Sequence, residues 1–137
     1  MRIFFDSSAF AKRYVAEAGS VAVDLLCSQA DNLGLSVICV PEIISALNRR
    51  LRERALSSHD YKKAKGSLAA DIRDADVVNL LPAVISSCIV ILESNPIRAM
   101  DAIHVACALE WRAELFVSSD KRQITAAKKA GLRSTLV

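Results

Sequence analysis

The sequence predicts an α/β fold, a three-layer α/β/α sandwich with a mainly parallel central sheet, and two observations predict it. Short apolar runs such as Ile3-Phe4-Phe5 and Leu115-Phe116-Val117 have the uninterrupted apolarity of strands buried on both faces. Between such runs lie longer segments with apolar residues at three- and four-residue spacing, as expected of helices that cross over between parallel strands. No repeat, low-complexity tract or linker divides the 137 residues, so residues 1–137 are expected to form a single domain.

The first strand covers Ile3–Phe5, and Asp6-Ser7-Ser8 after it has the composition of a helix N-cap. A first helix is expected from Ala9 to Ala16. A second restarts after Gly19 and Ser20 and carries Val21, Val23, Leu25 and Leu26 to about Ala30. The following turn ends at Gly34, and Leu35–Val40 reads as the second strand. Pro41 suits the first position of the next helix, where its missing N–H is not needed. Glu42 falls in that first turn, Ile43, Ala46, Leu47, Arg50 and Leu51 mark an inner face, and Arg49, Arg52 and Arg54 lie toward the other side.

Ser57 and Ser58 can cap a helix from His59 to about Asp74 that bears Lys62, Lys63, Lys65 and Arg73. Val77–Leu81 is the third strand, and Pro82 opens a helix so apolar, through Val84, Ile85, Cys88, Ile89 and Leu92, that it is expected in the core. Asn95-Pro96 breaks the chain before a helix from Arg98 to Arg112, with Asp101 in its first turn and Met100, Ile103, Cys107 and Trp111 on one stripe. Leu115–Val117 is the fourth strand. Ser118-Ser119-Asp120 leads from it into a basic helix that ends at Gly131, and Leu132–Val137 adds an edge strand.

Composition narrows the function. Hydrophobic residues make up 53% of the chain, yet no run approaches the roughly 18 apolar residues of a membrane span. The N-terminus has one arginine and then a strand interrupted by Asp6, unlike a secretory signal, so a cytoplasmic location without membrane attachment is expected. Cys27, Cys39, Cys88 and Cys107 are far apart in apolar contexts and read as buried free thiols. A net charge of +3 does not by itself indicate a nucleic-acid partner.

The chemistry lies in four acids. Asp6 follows the first strand, Glu42 opens the helix after the second, Asp101 opens the helix before the fourth, and Asp120 follows the fourth. In an open parallel sheet all four positions fall at the edge where ligands bind. Any one of them is adequately explained as a cap or as an acid facing a helix dipole, worth about 0.3–1 kcal/mol. Four together are costly, because two like charges about 4 Å apart repel by about 4 kcal/mol at an effective dielectric near 20. A hard divalent cation such as Mg²⁺ removes that cost, and phosphodiester hydrolysis is a reaction it serves. Ser8 and Ser118 place hydroxyls beside the acids, as caps, as holders of a water or phosphate, or as both. His104, three residues after Asp101, reads as a histidine packed beside the site or supporting its acids.

Asp6-Ser7-Ser8-Ala9 with Lys12, Tyr14 and Glu17, Pro41-Glu42 with Ala46, Arg98 with Asp101-Ala102-Ile103-His104-Val105-Ala106, and Ser118-Ser119-Asp120 together resemble the PIN domain, specifically VapC-type toxins of toxin–antitoxin pairs. The resemblance spans essentially the whole chain. It implies a PIN-like fold and an endoribonuclease dependent on Mg²⁺ or Mn²⁺. It also implies a homodimer neutralised by a cognate VapB-type antitoxin. Carried over by position, Asp6, Glu42, Asp101 and Asp120 match the acidic quartet, as catalytic and metal-binding residues, and Ser8 and Ser118 match the accompanying hydroxyls.

Among the basic residues, Lys121 and Arg122 beside Asp120, and Arg49 after Glu42, are candidates for RNA contact; solvated helix faces are the plain alternative. An antitoxin is expected to place an Arg or Lys among the carboxylates and an apolar helix in a groove near Phe10, Val15, Val21 and Leu25, residues that core packing explains as well. Two competing readings are a phosphorelay receiver and a catalytically idle PIN-like binding module. The receiver fits poorly, since Pro82 rather than an acid follows the third strand, and the intact quartet argues against the idle module.

Overall fold

The computed structural model describes residues 1–137. Five strands, β1 (Arg2–Phe5), β2 (Asn32–Ser36), β3 (Asp76–Val78), β4 (Leu115–Ser118) and β5 (Ser134–Leu136), form one sheet in the order β3-β2-β1-β4-β5. Every pairing is parallel. Seven helices accompany them: α1 (Ser7–Phe10), α2 (Ser20–Gln29), α3 (Cys39–Arg52), α4 (Ser58–Asp74), α5 (Pro82–Ser94), α6 (Ala99–Glu110) and α7 (Lys121–Lys129).

The central strands are buried on both sides, and their alternation sorts the core into two layers. Ile3, Phe5, Leu115 and Val117 pack with residues of α1 to α4 on one face. Phe4 and Phe116 pack with residues of α5 to α7 on the other. Right-handed crossovers explain the sorting: β1, β2 and β3 progress toward one edge with their connections on one face, while the return to β4 and on to β5 uses the other. The direction reverses between β1 and β4, which makes the C-terminal ends of those two strands the switch point where open α/β sheets bind ligands.

Several boundaries differ from expectation. The first helix is one α turn followed by a 3-10 turn over Ala11–Arg13. The second strand begins at Asn32 and stops at Ser36, so Gly34 lies inside it rather than in a turn. A Cβ on Gly34 would sit 2.8 Å from both Phe4 Cδ2 and Trp111 Cε3; glycine is there because the strand passes beneath an aromatic pair. Helix α3 starts at Cys39, placing Pro41 third, still within the turn that has no N–H partners. The third strand is Asp76–Val78, before the expected Val77–Leu81 ends, and β5 covers only Ser134–Leu136.

Helix α5 is not wholly core. It buries Val84, Cys88 and Ile91 against α6, while Ile85, Ile89, Val90 and Leu92 are exposed, because the helix contacts the body of the protein along one stripe only. On α6 the buried residues are Ala102, His104, Val105, Ala106, Cys107 and Ala108, and of the expected stripe Met100, Ile103, Cys107 and Trp111 only Cys107 is fully buried while Met100 is exposed. Small residues let this helix lie close to its neighbours. On α2 only Val23 is fully buried, whereas Val21 and Leu25 are exposed. All four cysteines are free; Cys39, Cys88 and Cys107 are buried and Cys27 is half-buried. No helix is long and apolar enough to cross a membrane.

Candidate active site

Asp6 extends β1 by one residue, its N–H donating to Val117 O on β4 at 3.0 Å. Its side chain turns into the protein, is 0% exposed and caps α1. Oδ1 accepts the Ala9 N–H at 2.9 Å, and Oδ2 accepts hydroxyls from Ser8 at 2.7 Å and Ser118 at 2.8 Å. Burial pushes its pKa above the usual carboxyl value, against the nearby imidazole of His104 and the three hydrogen bonds. The two serines also accept: Ser8 Oγ from Ser119 N–H at 3.0 Å and Ser118 Oγ from Asp120 N–H at 2.9 Å. They thereby tie Asp6 to the turn that carries Asp120, whereas the helix caps at these two places are the acids Asp6 and Asp120 rather than the serines.

Asp120 is the N-cap of α7, its Oδ1 accepting Arg122 N–H at 2.7 Å. Asp101, in the first turn of α6, accepts the Gln123 Nε2–H at 3.1 Å through Oδ1. Its pKa is raised, first by burial and then by Asp120, with Glu42 and Asp6 adding to the effect and His104 opposing it. Each of the other three acids thus lies within electrostatic reach of Asp101, although the four come from four separate segments.

Glu42, in the first turn of α3, has its Oε1 held twice, by Ser7 Oγ–H at 2.7 Å and by His104 Nε2 at 2.5 Å. Partial burial works against its ionisation, but the hydrogen bonds from His104 and Ser7 prevail and its pKa is lowered. A pattern runs through three of the acids: Glu42, Asp101 and Asp120 each have one oxygen engaged by a protein donor, while no protein donor reaches the other oxygen. No three acid, histidine or cysteine side chains converge as a ligand cluster.

As a donor set, these residues suit a hard cation: the ligands would be carboxylate oxygens, three retain an unengaged oxygen, and the charge that raises Asp101 is the charge a cation would neutralise. Two open clefts flank the edge. One, of about 500 Å³, is lined by Glu42, Arg49, Arg52, Ser45 and Met100. The other, of about 230 Å³, is lined by Asn95, Pro96, Lys121, Arg122 and Thr125.

A family model for the PIN domain matches residues 3–129, nearly the whole of the chain and a span within which all four acids fall. The chain belongs to the PIN domain family. No curated protein matches it in sequence. Among solved structures, a toxin of Mycobacterium tuberculosis, VapC20, described as cleaving the sarcin–ricin loop, superposes with a TM-score of 0.70 at 19% identity, covering 98% of this chain and 99% of that one. FitAcB from Neisseria gonorrhoeae gives 0.71 at 16% identity, with 96% and 95% covered. VapBC2 from Rickettsia felis, bound to a DNA fragment from its promoter, gives 0.69 at 10% identity, with 100% and 99% covered. At these identities the likeness speaks for the fold, and family membership removes the phosphorelay receiver.

Two residues of this PIN domain's site escaped the sequence reading, Ser7 and Gln123. Asp120-x-x-Gln123 has the spacing of a capping box, in which the glutamine would turn back onto its own helix. Instead Gln123 is buried and reaches Asp101, 22 residues earlier in the chain. Ser7 sits between two plausible capping residues, and nothing local marks it as a partner of Glu42.

Proposed function

We propose that this PIN domain is a divalent-metal-dependent endoribonuclease that acts as the toxin of a toxin–antitoxin pair. The reading is supported above all by Asp6, Glu42 and Asp120 lying within electrostatic reach of Asp101 beside the switch point of the sheet, in a PIN domain chain whose fold neighbours include a toxin described as cleaving the sarcin–ricin loop. Asp6, Glu42, Asp101 and Asp120 would hold Mg²⁺, with Mn²⁺ able to replace it. When bound, the cation supplies a nucleophilic water at neutral pH and neutralises charge developing on the phosphate and the leaving oxygen.

The chain's own residues orient the partners. Ser8 and Ser118 hold Asp6 by one oxygen and the β4–α7 turn by its N–H groups. Gln123 steadies Asp101. Arg49 and Arg52 on one side, and Lys121 and Arg122 on the other, are exposed cations flanking the acids, suited to drawing phosphates toward an edge that would otherwise repel them. Under this reading the protein works in the cytoplasm as a homodimer of one-domain chains and is held inactive by a VapB-type antitoxin whose Arg or Lys pairs with the carboxylates. Of the residues considered for the antitoxin groove, Phe10 belongs to the core and Val15 is half-buried against it, leaving Val21 and Leu25 exposed.

The test is cleavage of total cellular RNA by partner-free protein with Mg²⁺, with Mn²⁺ and with chelator, beside Asp6→Asn. Metal-dependent fragments that vanish in the variant are expected. Equal cleavage by the variant, or cleavage undiminished by chelator, would refute the assignment. Metal-dependent cleavage of DNA but not RNA would overturn the substrate class.

A further inference from the structure

His104 is 1% exposed on a helix whose other buried positions are alanine, valine and cysteine, and a polar ring in such a place is retained at a cost unless it makes a hydrogen bond. Its Nε2 lies 2.5 Å from Glu42 Oε1 and 3.1 Å from Ser7 Oγ, and the Ser7 hydroxyl donates to the same Oε1. An ionised carboxylate offers only lone pairs and the Ser7 proton is already committed to it, so Nε2 carries a proton and donates to Glu42. Nδ1 is buried with no partner at all. All polar contacts of the ring therefore run through Nε2, whose proton is directed at Glu42 with Ser7 Oγ alongside.

We propose that His104, assisted by Ser7, is the positioning residue for Glu42. Glutamate has three side-chain torsions, and Glu42 stands half-exposed in the first turn of α3, where an unrestrained carboxylate would sweep through solvent. Two donors converging on Oε1 stop that motion and leave Oε2 as the oxygen free to engage a ligand. His104 and Asp101 are three residues apart on α6 and so share a face. One rigid helix thus presents its own acid and sets the position of a second acid from α3. The inference that Oε2 serves a cation rests on the metal-site reading above; the grip itself does not.

Two measurements on the full chain separate these parts. In ¹⁵N-histidine NMR of the metal-free protein, the clamp predicts an exchange-protected His104 Nε2–H signal that shifts in Glu42→Gln and in Ser7→Ala. Absence of that signal, or its indifference to both changes, would overturn the clamp without requiring any His104 variant to fold. In Mn²⁺ titration calorimetry, His104→Leu should weaken binding about 10–100-fold, the range seen when the partner of a metal ligand is removed. His104→Gln, which retains an N–H near the Nε2 position, should recover most of the loss. In a Glu42→Gln background, His104→Leu should cause no further loss. A folded His104→Leu that binds Mn²⁺ as the parent does, or an effect additive with Glu42→Gln, would overturn the positioning role. A parent protein that binds no Mn²⁺ while keeping the ring signal would refute the metal-site reading and leave the clamp supported.

Discussion

Asp101→Asn should make the protein more stable while removing its activity. Asparagine keeps an Oδ1 to accept the Gln123 Nε2–H, and its amide nitrogen replaces the oxygen that no protein donor reaches, so shape and hydrogen bonding are nearly conserved. What is lost is charge. Three acids act against the ionised form and one histidine favours it, leaving two net repulsions, in addition to the burial that raises the pKa. Valued as partly exposed interactions, at about 0.2–1 kcal/mol each and discounted for solvent screening, these give roughly 0.5–2 kcal/mol. For a chain of this size that corresponds to a rise in Tm of about 2–6 °C.

The sign with pH follows from the raised pKa. The folded state holds the Asp101 proton more tightly than the unfolded state, so stability from this group is present in acid and is lost as pH rises from about 4 through the folded-state pKa. Parent and variant should therefore converge at low pH and separate toward neutrality. Denaturant and thermal unfolding, each with chelator at low and at 0.5 M salt, would measure the difference, and the share of the gain that comes from relieved carboxylate repulsion should disappear in salt while the share from burial remains. A variant less stable than the parent at pH 7, or a gain indifferent to salt, would refute the electrostatic account.

Glu42→Gln should show the opposite pH behaviour: the lowered pKa contributes stability that is present above the unfolded value and lost as pH falls through the folded one, so the variant should be the less stable near neutrality and equal in acid, by denaturant unfolding at several pH values. Ser118→Ala removes a donor to buried Asp6 and the acceptor for Asp120 N–H; a loss of about 1–3 kcal/mol in unfolding free energy is expected, with reduced cleavage. Gly34→Ala forces a methyl against Phe4 and Trp111 and should cost about 1–3 kcal/mol in the same assay, with the metal titration unchanged. Arg49→Ala and Arg52→Ala should raise KM for RNA more than they lower kcat, and each phosphate contact removed should reduce the slope of log affinity against log salt by about 0.7.

Local chemistry made much of this protein readable in advance. Ile3-Phe4-Phe5 and Leu115-Phe116-Val117 have few conformational alternatives to buried strands, and the acids that follow strands or open helices carry their position with them. Boundaries were less legible where packing overrode propensity. Gly34 looks like a turn until Phe4 and Trp111 are placed over it, and the uniformly apolar α5 gives no local sign of which residues remain outside. The same division runs through the site: Asp6, Glu42, Asp101, Asp120, Ser8 and Ser118 could be named from sequence, but their partners could not.

The amino-acid sequence by itself determined the alternation of strands and helices, the segments bearing the acids and the resemblance to PIN domains, because these depend on periodicity and on residues near one another along the chain. Only the tertiary structure decided that Gln123 turns from its own helix to Asp101, that Ser7 and His104 grip one oxygen of Glu42, and that the sheet reverses direction beside Asp6. Those relations join residues 22 to 97 positions apart, and a hydrogen bond across such a span is set by the strand order and the packing of helices against the sheet, which no local pattern encodes.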